Sequence, residues 1–261
     1  MQSFRVVAYN FLAGGSRNRV RHWSRLVRGL AADVILAQEC RPPEECPEER
    51  FRPQGDDAFL WGRAGPLRWG SAVFARSARF TPIPLPRHDG WVVGGEIVNA
   101  AWANGRPVRV FSIHGPVGDR GYIRTMHEIL DQLQPLGAGA DLILGGDFNV
   151  VVGYRLAREK RTVSRGEHGL LERLTRELGL IACWQTANPD RPLAQTLRWT
   201  ANRKEPYHCD GIFVPAEWLE RLVSCRVVRG SRWDQLSDHS PVLAEFATTR
   251  PSRRRGRRLG R

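Results

Sequence analysis

Leu142-Ile143-Leu144-Gly145-Gly146-Asp147-Phe148-Asn149 is an apolar run that halts at two glycines and then presents an acid and an amide. From Ala140 to Leu144 the hydrophobic residues do not alternate with polar ones, as expected of a strand covered on both faces. The two glycines let the backbone turn or approach a ligand closely. If the chain stays extended, Asp147 and Asn149 point to one side and Phe148 to the other. A carboxylate beside a carboxamide at a strand end can align a water molecule and hold a phosphate or a metal. The competing reading is a Gly-Asp turn in which Asn149 caps the next segment.

Outward from this stretch the chain repeats the same plan. Phe4 to Asn10 is a strand ending in an amide, and Val34 to Ala37 is a buried strand ending in Gln38-Glu39. Between them Val20, Trp23, Leu26, Val27 and Leu30 fall at helical spacing, which predicts a helix over about 18–31. A second strand-helix-strand unit runs from Val108-Ile113 and His114, through a helix marked by Ile123, Met126, Ile129, Leu130 and Leu133, into the opening stretch. Trp91–Ala101 and Val108–Ile113 read as a hairpin turning near Asn104-Gly105. Leu67–Phe74 and Phe80–Leu85 read as short strands, the second an edge because of Pro82, Pro84 and Pro86. Residues 41–57 read as a loop. A further helix is marked by Leu170, Leu171, Leu174 and Leu178, and short strands follow at Thr196–Thr200, Cys209–Val214, Cys225–Val228 and Pro241–Phe246.

Length and composition narrow the class. At 261 residues with 41% hydrophobic content, the chain can bury a sizeable core as one domain over 1–249. No run reaches the eighteen or so apolar residues of a membrane helix. The first residues enter a strand pattern without a secretory signal, so the expected location is cytoplasmic and the five cysteines are expected as thiols. Net charge is +13, and the segment 250–261 carries seven Arg and no acid. That Arg-rich tail is expected to be disordered and to favour polyanions.

Polar groups therefore emerge at the ends of apolar strands: Asn10, Glu39, His114, Asp147 with Asn149, Asp210, and Asp238 with His239. Gathered on one rim, these carboxylates would repel one another. A hard divalent ion with oxygen ligands, Mg²⁺ or Mn²⁺, resolves the conflict and suits phosphoester hydrolysis.

The ordered set Tyr9-Asn10, Gln38-Glu39, Ser112-Ile113-His114, Gly146-Asp147-Phe148-Asn149, Asp210-Gly211-Ile212-Phe213-Val214 and Ser237-Asp238-His239-Ser240-Pro241-Val242 resembles the endonuclease/exonuclease/phosphatase superfamily, over about 4–246. Any one of these motifs is weak alone; all of them in order are specific. The resemblance implies an α/β fold, a four-layer α/β/β/α sandwich of two mixed β-sheets flanked by helices. It implies a Mg²⁺-dependent hydrolase in which Glu39 ligates the metal, Asn10 supports it and Asp238 is a further metal-site acid. It implies that Asp147 positions or deprotonates the attacking water and Asn149 orients it. His239, its ring held by Asp210, and His114 would contact the phosphate, with the base left open between Asp147 and His239.

Departures from the family pattern shape the substrate reading. Pro66-Leu67-Arg68-Trp69-Gly70 has no acid where deoxyribonuclease I carries a glutamate that pairs with a histidine, so the partner of His114 is open. Tyr207-His208-Cys209-Asp210-Gly211 argues against an inositol 5-phosphatase. Arg41 resembles an arginine that some family nucleases use on phosphate. His208, two residues before Asp210, is expected at the site edge if the strand is extended. Arg120, Arg124 and the basic stretch 155–165 could track a nucleic-acid backbone, with Trp199 for stacking. The favoured expectation is a nuclease acting on DNA. The alternatives are a phosphoesterase for a small or lipid phosphate and, third, a non-catalytic polyanion binder. No protein partner is inferred.

Overall fold

The computed structural model describes residues 3–15, 21–46, 51–98, 100–103, 105–119, 121–155, 164–198 and 207–248. Two six-stranded sheets lie face to face. The first has the order β11-β12-β1-β2-β4-β3, built from β1 (Ser3–Asn10), β2 (Val34–Cys40), β3 (Ala58–Arg63), β4 (Gly70–Ala75), β11 (Leu222–Val227) and β12 (Val242–Ala247). The second has the order β5-β6-β7-β8-β10-β9, built from β5 (Arg79–Pro82), β6 (Val92–Val98), β7 (Val108–His114), β8 (Asp141–Asp147), β9 (Leu180–Ala182) and β10 (Asp210–Pro215). The second sheet is thus one continuous middle portion of the chain, and both flanking portions make the first.

Alternation along each strand sorts the side chains into layers. Phe4, Val6 and Ala8 of β1 pack with Val34 and Leu36 of β2 against Val108, Val110, Ile143, Ile212 and Val214 of the opposite sheet. The other face of the first sheet, with Val7, Tyr9, Ile35 and Ala37, is covered by Trp23, Leu26, Val27 and Leu30. The outer face of the second sheet, with Phe111, Ile113, Leu142 and Leu144, is covered by Met126, Ile129, Leu130 and Leu133 of α2 (Tyr122–Leu133) and by Leu170 and Leu171 of α3 (Arg165–Glu172). The sandwich expected from the sequence is the fold observed. The unalternating hydrophobic run of β8 follows from its having Ile143 in the central layer and Leu142 and Leu144 in the outer one.

Both strand-helix-strand units form parallel pairs, β1 with β2 and β7 with β8. The hairpin of β6 and β7 is antiparallel, and β5 is a sheet edge, as its prolines require. Several boundaries differ from the expectation. β4 starts at Gly70 rather than Leu67, because Ala64–Trp69 close a turn in which the Ala64 N–H donates to Trp69 O. β5 ends at Pro82, before further prolines deny the ladder its donors. β3 and β9 have no counterpart among the expected strands. Leu197 makes isolated bridges only, and Trp199 and Thr200 lie outside the described residues. The expected helix over 18–31 is α1 (His22–Ser24) continuing into a wider π turn over Arg25–Gly29, with residues 16–20 outside the described set. All five cysteines are free thiols. No helix among the described residues is long and apolar enough to cross a membrane.

Candidate active site

Strand register lines up the acids. In the second sheet His114 of β7 is the partner of Asp147 in β8, and Asp147 is the partner of Asp210 in β10. All three continue the inward-facing alternation of their strands, so they form a row at one end of the cleft between the sheets. Asn10, at the end of β1, continues Phe4, Val6 and Ala8 and faces the row from the opposite sheet. Its Nδ2 donates to Asp147 Oδ2 at 3.0 Å and to Glu39 Oε1 at 3.1 Å. Asn10 Oδ1 accepts from the Leu12 N–H at 2.9 Å, which fixes the amide orientation.

Glu39 reaches the cleft by breaking the strand rule. After Gln38 it would alternate with Ile35 and Ala37 toward the helices. Instead the register between β2 and β4 shifts between Ala37 and Cys40, and Glu39 takes φ +46°. A left-handed glutamate is uncommon and costs energy that the surrounding structure supplies. The carboxylate lies with Oε1 3.7 Å from His114 Nε2, and Oε2 accepts from the Ala13 N–H.

Asp147 is fixed from both sides. Its Oδ1 accepts the Asn149 N–H at 2.9 Å, while Oδ2 holds Asn10. Asn149 has φ +55°, so the chain leaves the strand here rather than staying extended. The side chain of Asn149 donates to Gly115 O at 2.9 Å, and its backbone rather than its amide orients Asp147. Phe148 is buried in the outer layer, as expected. Gly146, at φ +143°, has no room for a side chain: a Cβ would sit 2.0 Å from Ile113 O and 2.8 Å from Gln38 Nε2. That Gln38 amide donates to Ser112 Oγ, which donates to Ala37 O, a buried tie between the two sheets directly below the acids.

The Ser237–Ser240 loop supplies the last groups. Ser237 Oγ donates to Asn10 O and accepts the His239 N–H. His239 Nδ1 meets Asp210 Oδ2 at 2.9 Å, and Nε2 faces Asp147 Oδ2 at 3.7 Å and Asp238 Oδ1 at 3.9 Å. Burial alone would push the ring's pKa down, but the carboxylates of Asp210 and Asp147 outweigh it and hold it at about 10. His114 goes the other way: burial pushes it down against the pull of Asp147. Burial also raises the Asp147 carboxyl, partly offset by the His239 imidazole. Two imidazoles, each with Nε2 within 4 Å of Asp147 Oδ2, are thus pushed in opposite directions, His239 toward the charged form and His114 toward the neutral one, the pattern of divided acid–base roles.

The sequence did not single out several supports. Arg198 donates from its guanidinium to Ser240 Oγ, Ser237 O and His239 O, clamping the loop, and pairs with Asp234 at 3.2 Å. Tyr207 donates to Asn149 O, and Tyr122 lies close enough for Asp147, after burial, to raise its hydroxyl's pKa. The only sequence signal for these is their nearness to the quoted motifs. Of the other expected contacts, Arg41 lies against the 13–15 turn with Nε on Gly14 O at 3.3 Å. Arg124 pairs with Glu128 on α2. His208 is not at the site edge: it is buried, with Nδ1 on Ala194 O at 2.6 Å and its ring 5.3 Å from Trp184. Trp184, like Ile212 and Val214 of β10, belongs to the central layer, so His208 is packed into that layer rather than open to substrate. Arg120, Trp199, most of the 155–165 stretch and the 250–261 tail lie outside the described residues.

Two donor sets could face a cation. Asp147, Cys209, Asp210 and His239 each offer an atom within 4.8 Å of the others. Those groups are already spent on one another: His239 is held protonated by Asp210, and burial pushes the Cys209 thiol well up. Glu39 and Asp238 present hard carboxylate oxygens, and Asp238 Oδ1 is shielded yet has no hydrogen-bond partner. This second set fits a hard divalent ion.

Facing mixed sheets with carboxylates, amides and two imidazoles at one end of their cleft define a phosphoester-cleaving enzyme of the metal-dependent kind. The chain belongs to the Endonuclease/Exonuclease/phosphatase family, whose pattern it matches over residues 7–239. A comparison with curated proteins gave no match. Among solved structures it is similar to an AP endonuclease from Leishmania major (14% identity, TM-score 0.66, covering 94% of this chain and 88% of that one). It is similar to an AP endonuclease from Archaeoglobus fulgidus (14%, 0.66, 93% and 99%). It is also similar to the endonuclease domain of the telomere-specific non-LTR retrotransposon TRAS1 (18%, 0.65, 95% and 99%). At these identities the likeness is one of fold. Family membership supports a divalent-metal-dependent, phosphodiester-hydrolysing enzyme.

Proposed function

We propose that the chain is a Mg²⁺- or Mn²⁺-dependent nuclease that hydrolyses DNA phosphodiesters with water activated at Asp147. The observation that carries this reading is the pairing of a fixed, burial-raised carboxylate at Asp147 with a charged imidazole at His239, both facing the cleft. Glu39 and Asp238 would hold the ion, with Asn10 bridging Glu39 to Asp147. When bound, the ion neutralises charge developing on the phosphoryl and leaving oxygens.

Asp147 takes the proton of the attacking water, its orientation set by the Asn149 N–H and the Asn10 amide. His239, committed through Nδ1 to Asp210, donates from Nε2 to a phosphoryl oxygen. That commitment favours Asp147 over His239 as base. His114 donates from Nε2 toward the same space as a neutral ring. Arg198, through the Ser237–Ser240 carbonyls, keeps His239 aimed.

DNA is favoured by the excess of positive charge, +13 overall, and by the endonucleases among the fold neighbours. A cytoplasmic location is part of the reading. The test is an assay with supercoiled plasmid, abasic duplex, RNA and a panel of small and lipid phosphoesters, with Mg²⁺ or EDTA. Wild type should cleave DNA only with metal, and Asp147→Asn should lower kcat by about 10²–10⁴, the usual share of a general base. Turnover of small or lipid phosphoesters alone would overturn the substrate assignment, and salt-sensitive binding without any turnover would overturn catalysis.

A further inference from the structure

Where the sequence offers no acid to partner His114, the structure places two tryptophans. The rings of Trp69 and Trp91 lie 5.4 and 5.2 Å from the His114 ring, and 5.7 Å from each other at 88°. His114 Nδ1 is buried without a hydrogen-bond partner among the described residues. Both tryptophans are half-buried rather than core residues. Neither indole N–H has a partner among the described residues, and neither is enclosed. A buried tryptophan normally satisfies that donor, as Trp218 does with Asp141 at 2.8 Å. These two leave it free beside the catalytic cleft.

The pair is held by backbone, not by chance packing. Trp91 O accepts from Ser71 Oγ and from the His114 N–H, both at 2.9 Å, and Trp69 O accepts from the Ala64 N–H at 3.0 Å. The Ser71 N–H donates to Gly90 O at 2.8 Å, tying the two tryptophan segments together. The crossing is so close that a Cβ at Gly70 would lie 1.8 Å from Gly62 O, and one at Gly90, at φ +72°, would lie 1.8 Å from Arg63 O. Arg63 and Arg68 precede Trp69 in sequence, are exposed, and make no ion pair among the described residues. Aromatic faces with free N–H donors, beside a phosphate-facing histidine and unpaired cations, are the elements of a single-strand binding subsite.

We propose that Trp69 and Trp91 form a subsite for a nucleobase unstacked from its neighbours, next to the scissile phosphate. The proposal rests on the nucleic-acid reading of the cleft. It assigns the substrate more narrowly: a strand whose base is free to leave the stack, in single-stranded or frayed DNA, since a base paired in a continuous duplex cannot reach the indoles.

Fluorescence anisotropy of the full chain tests it in Mg²⁺, in an Asp147→Asn background that allows binding to be read apart from cleavage. The probes are labelled oligothymidylate and a base-free deoxyribose-phosphate oligomer of equal length and charge. The intact subsite should prefer the thymidylate. Trp69→Ala or Trp91→Ala should weaken thymidylate binding by about 5- to 150-fold, the range for loss of base–aromatic stacking. Base-free binding should stay within about twofold, and Trp69→Phe and Trp91→Phe should restore most of the preference. Equal weakening on both probes, or no preference in the intact protein, would overturn the subsite. Cleavage by the protein with Asp147 intact is scored separately, so a preserved base preference without nucleic-acid turnover would uphold the subsite and overturn the nuclease reading.

Discussion

Asp210 is the nearest carboxylate to His239, 2.9 Å from its Nδ1. With its carboxylate replaced by an amide in Asp210→Asn, the ring loses its nearest anion and its pKa should fall from about 10 toward the ordinary histidine range. A raised pKa keeps the ring charged at all pH values below it, so activity that needs the charged ring is lost as pH rises through that value. In Asp210→Asn the alkaline limb of kcat/KM should move to lower pH, and ring-proton NMR should report the same shift. An unmoved limb would separate His239 from the pH profile. His22 makes the opposite case away from the site. It is buried against Phe11, ring centroids 4.5 Å apart, with neither nitrogen partnered among the described residues. Burial, with a smaller push from Arg25, takes its pKa down to about 3. Neutral His22 therefore adds no acid penalty above the unfolded pKa of about 6.5, and stability falls as pH drops from there toward 3. The loss reaches about 2 kcal/mol by pH 5 from this group alone. His22→Phe should flatten that part of the urea-midpoint profile against pH.

Elements bring these residues together, and here the sequence is legible in part. The apolar strands announce themselves, and the rule that polar groups follow or precede them holds for Asn10, His114 and Asp147, which finish β1, β7 and β8, and for Asp210, which begins β10. Alternation fails where the strand itself gives way. Glu39 turns inward only because of a bulge and a left-handed backbone, which nothing in Leu36-Ala37-Gln38-Glu39-Cys40 announces. His208 is misread because Trp184 and a bond to Ala194 O bury it, which its spacing from Asp210 does not announce. Arg198 is invisible because its work is done on backbone carbonyls forty residues away, and hydrogen bonds to carbonyls leave no trace in residue type. Trp69 and Trp91 carried no functional signal either, since isolated tryptophans are usual in cores. The glycines at the end of β8 were legible as a close approach, and Gly146 proves it. Gly146→Ala should cost about 2–5 kcal/mol from clash and backbone strain. Urea unfolding would measure it, and a loss below about 0.5 kcal/mol would mean that the strand end relaxes freely.

At the scale of the whole molecule, the proposed DNA substrate would be met first by net charge. Seven of the forty basic residues fall in 250–261. Ending the chain at residue 249 should lower DNA affinity and flatten its dependence on salt, by up to about 0.9 in log–log slope for each phosphate the tail no longer neutralises. kcat on a short oligonucleotide should be unchanged, because the residues assigned to chemistry all lie upstream. An unchanged salt slope would show that the tail touches no phosphate.

The chain order of the sheets also bears on when activity can begin. Glu39 and Asn10 are made early, Asp147 and Asp210 in the middle, and Asp238 and His239 almost last. β1 stays an unpaired edge on one side until β12, the last of the described strands, arrives to bond along it from Ser3 to Ala8. Until those last segments are made, the chain has Asn10, Glu39, Asp147 and Asp210 but neither Asp238 nor His239, so the cluster described above is incomplete. Completion of the site and closure of the β1 edge therefore fall together, at β12 and the loop that precedes it.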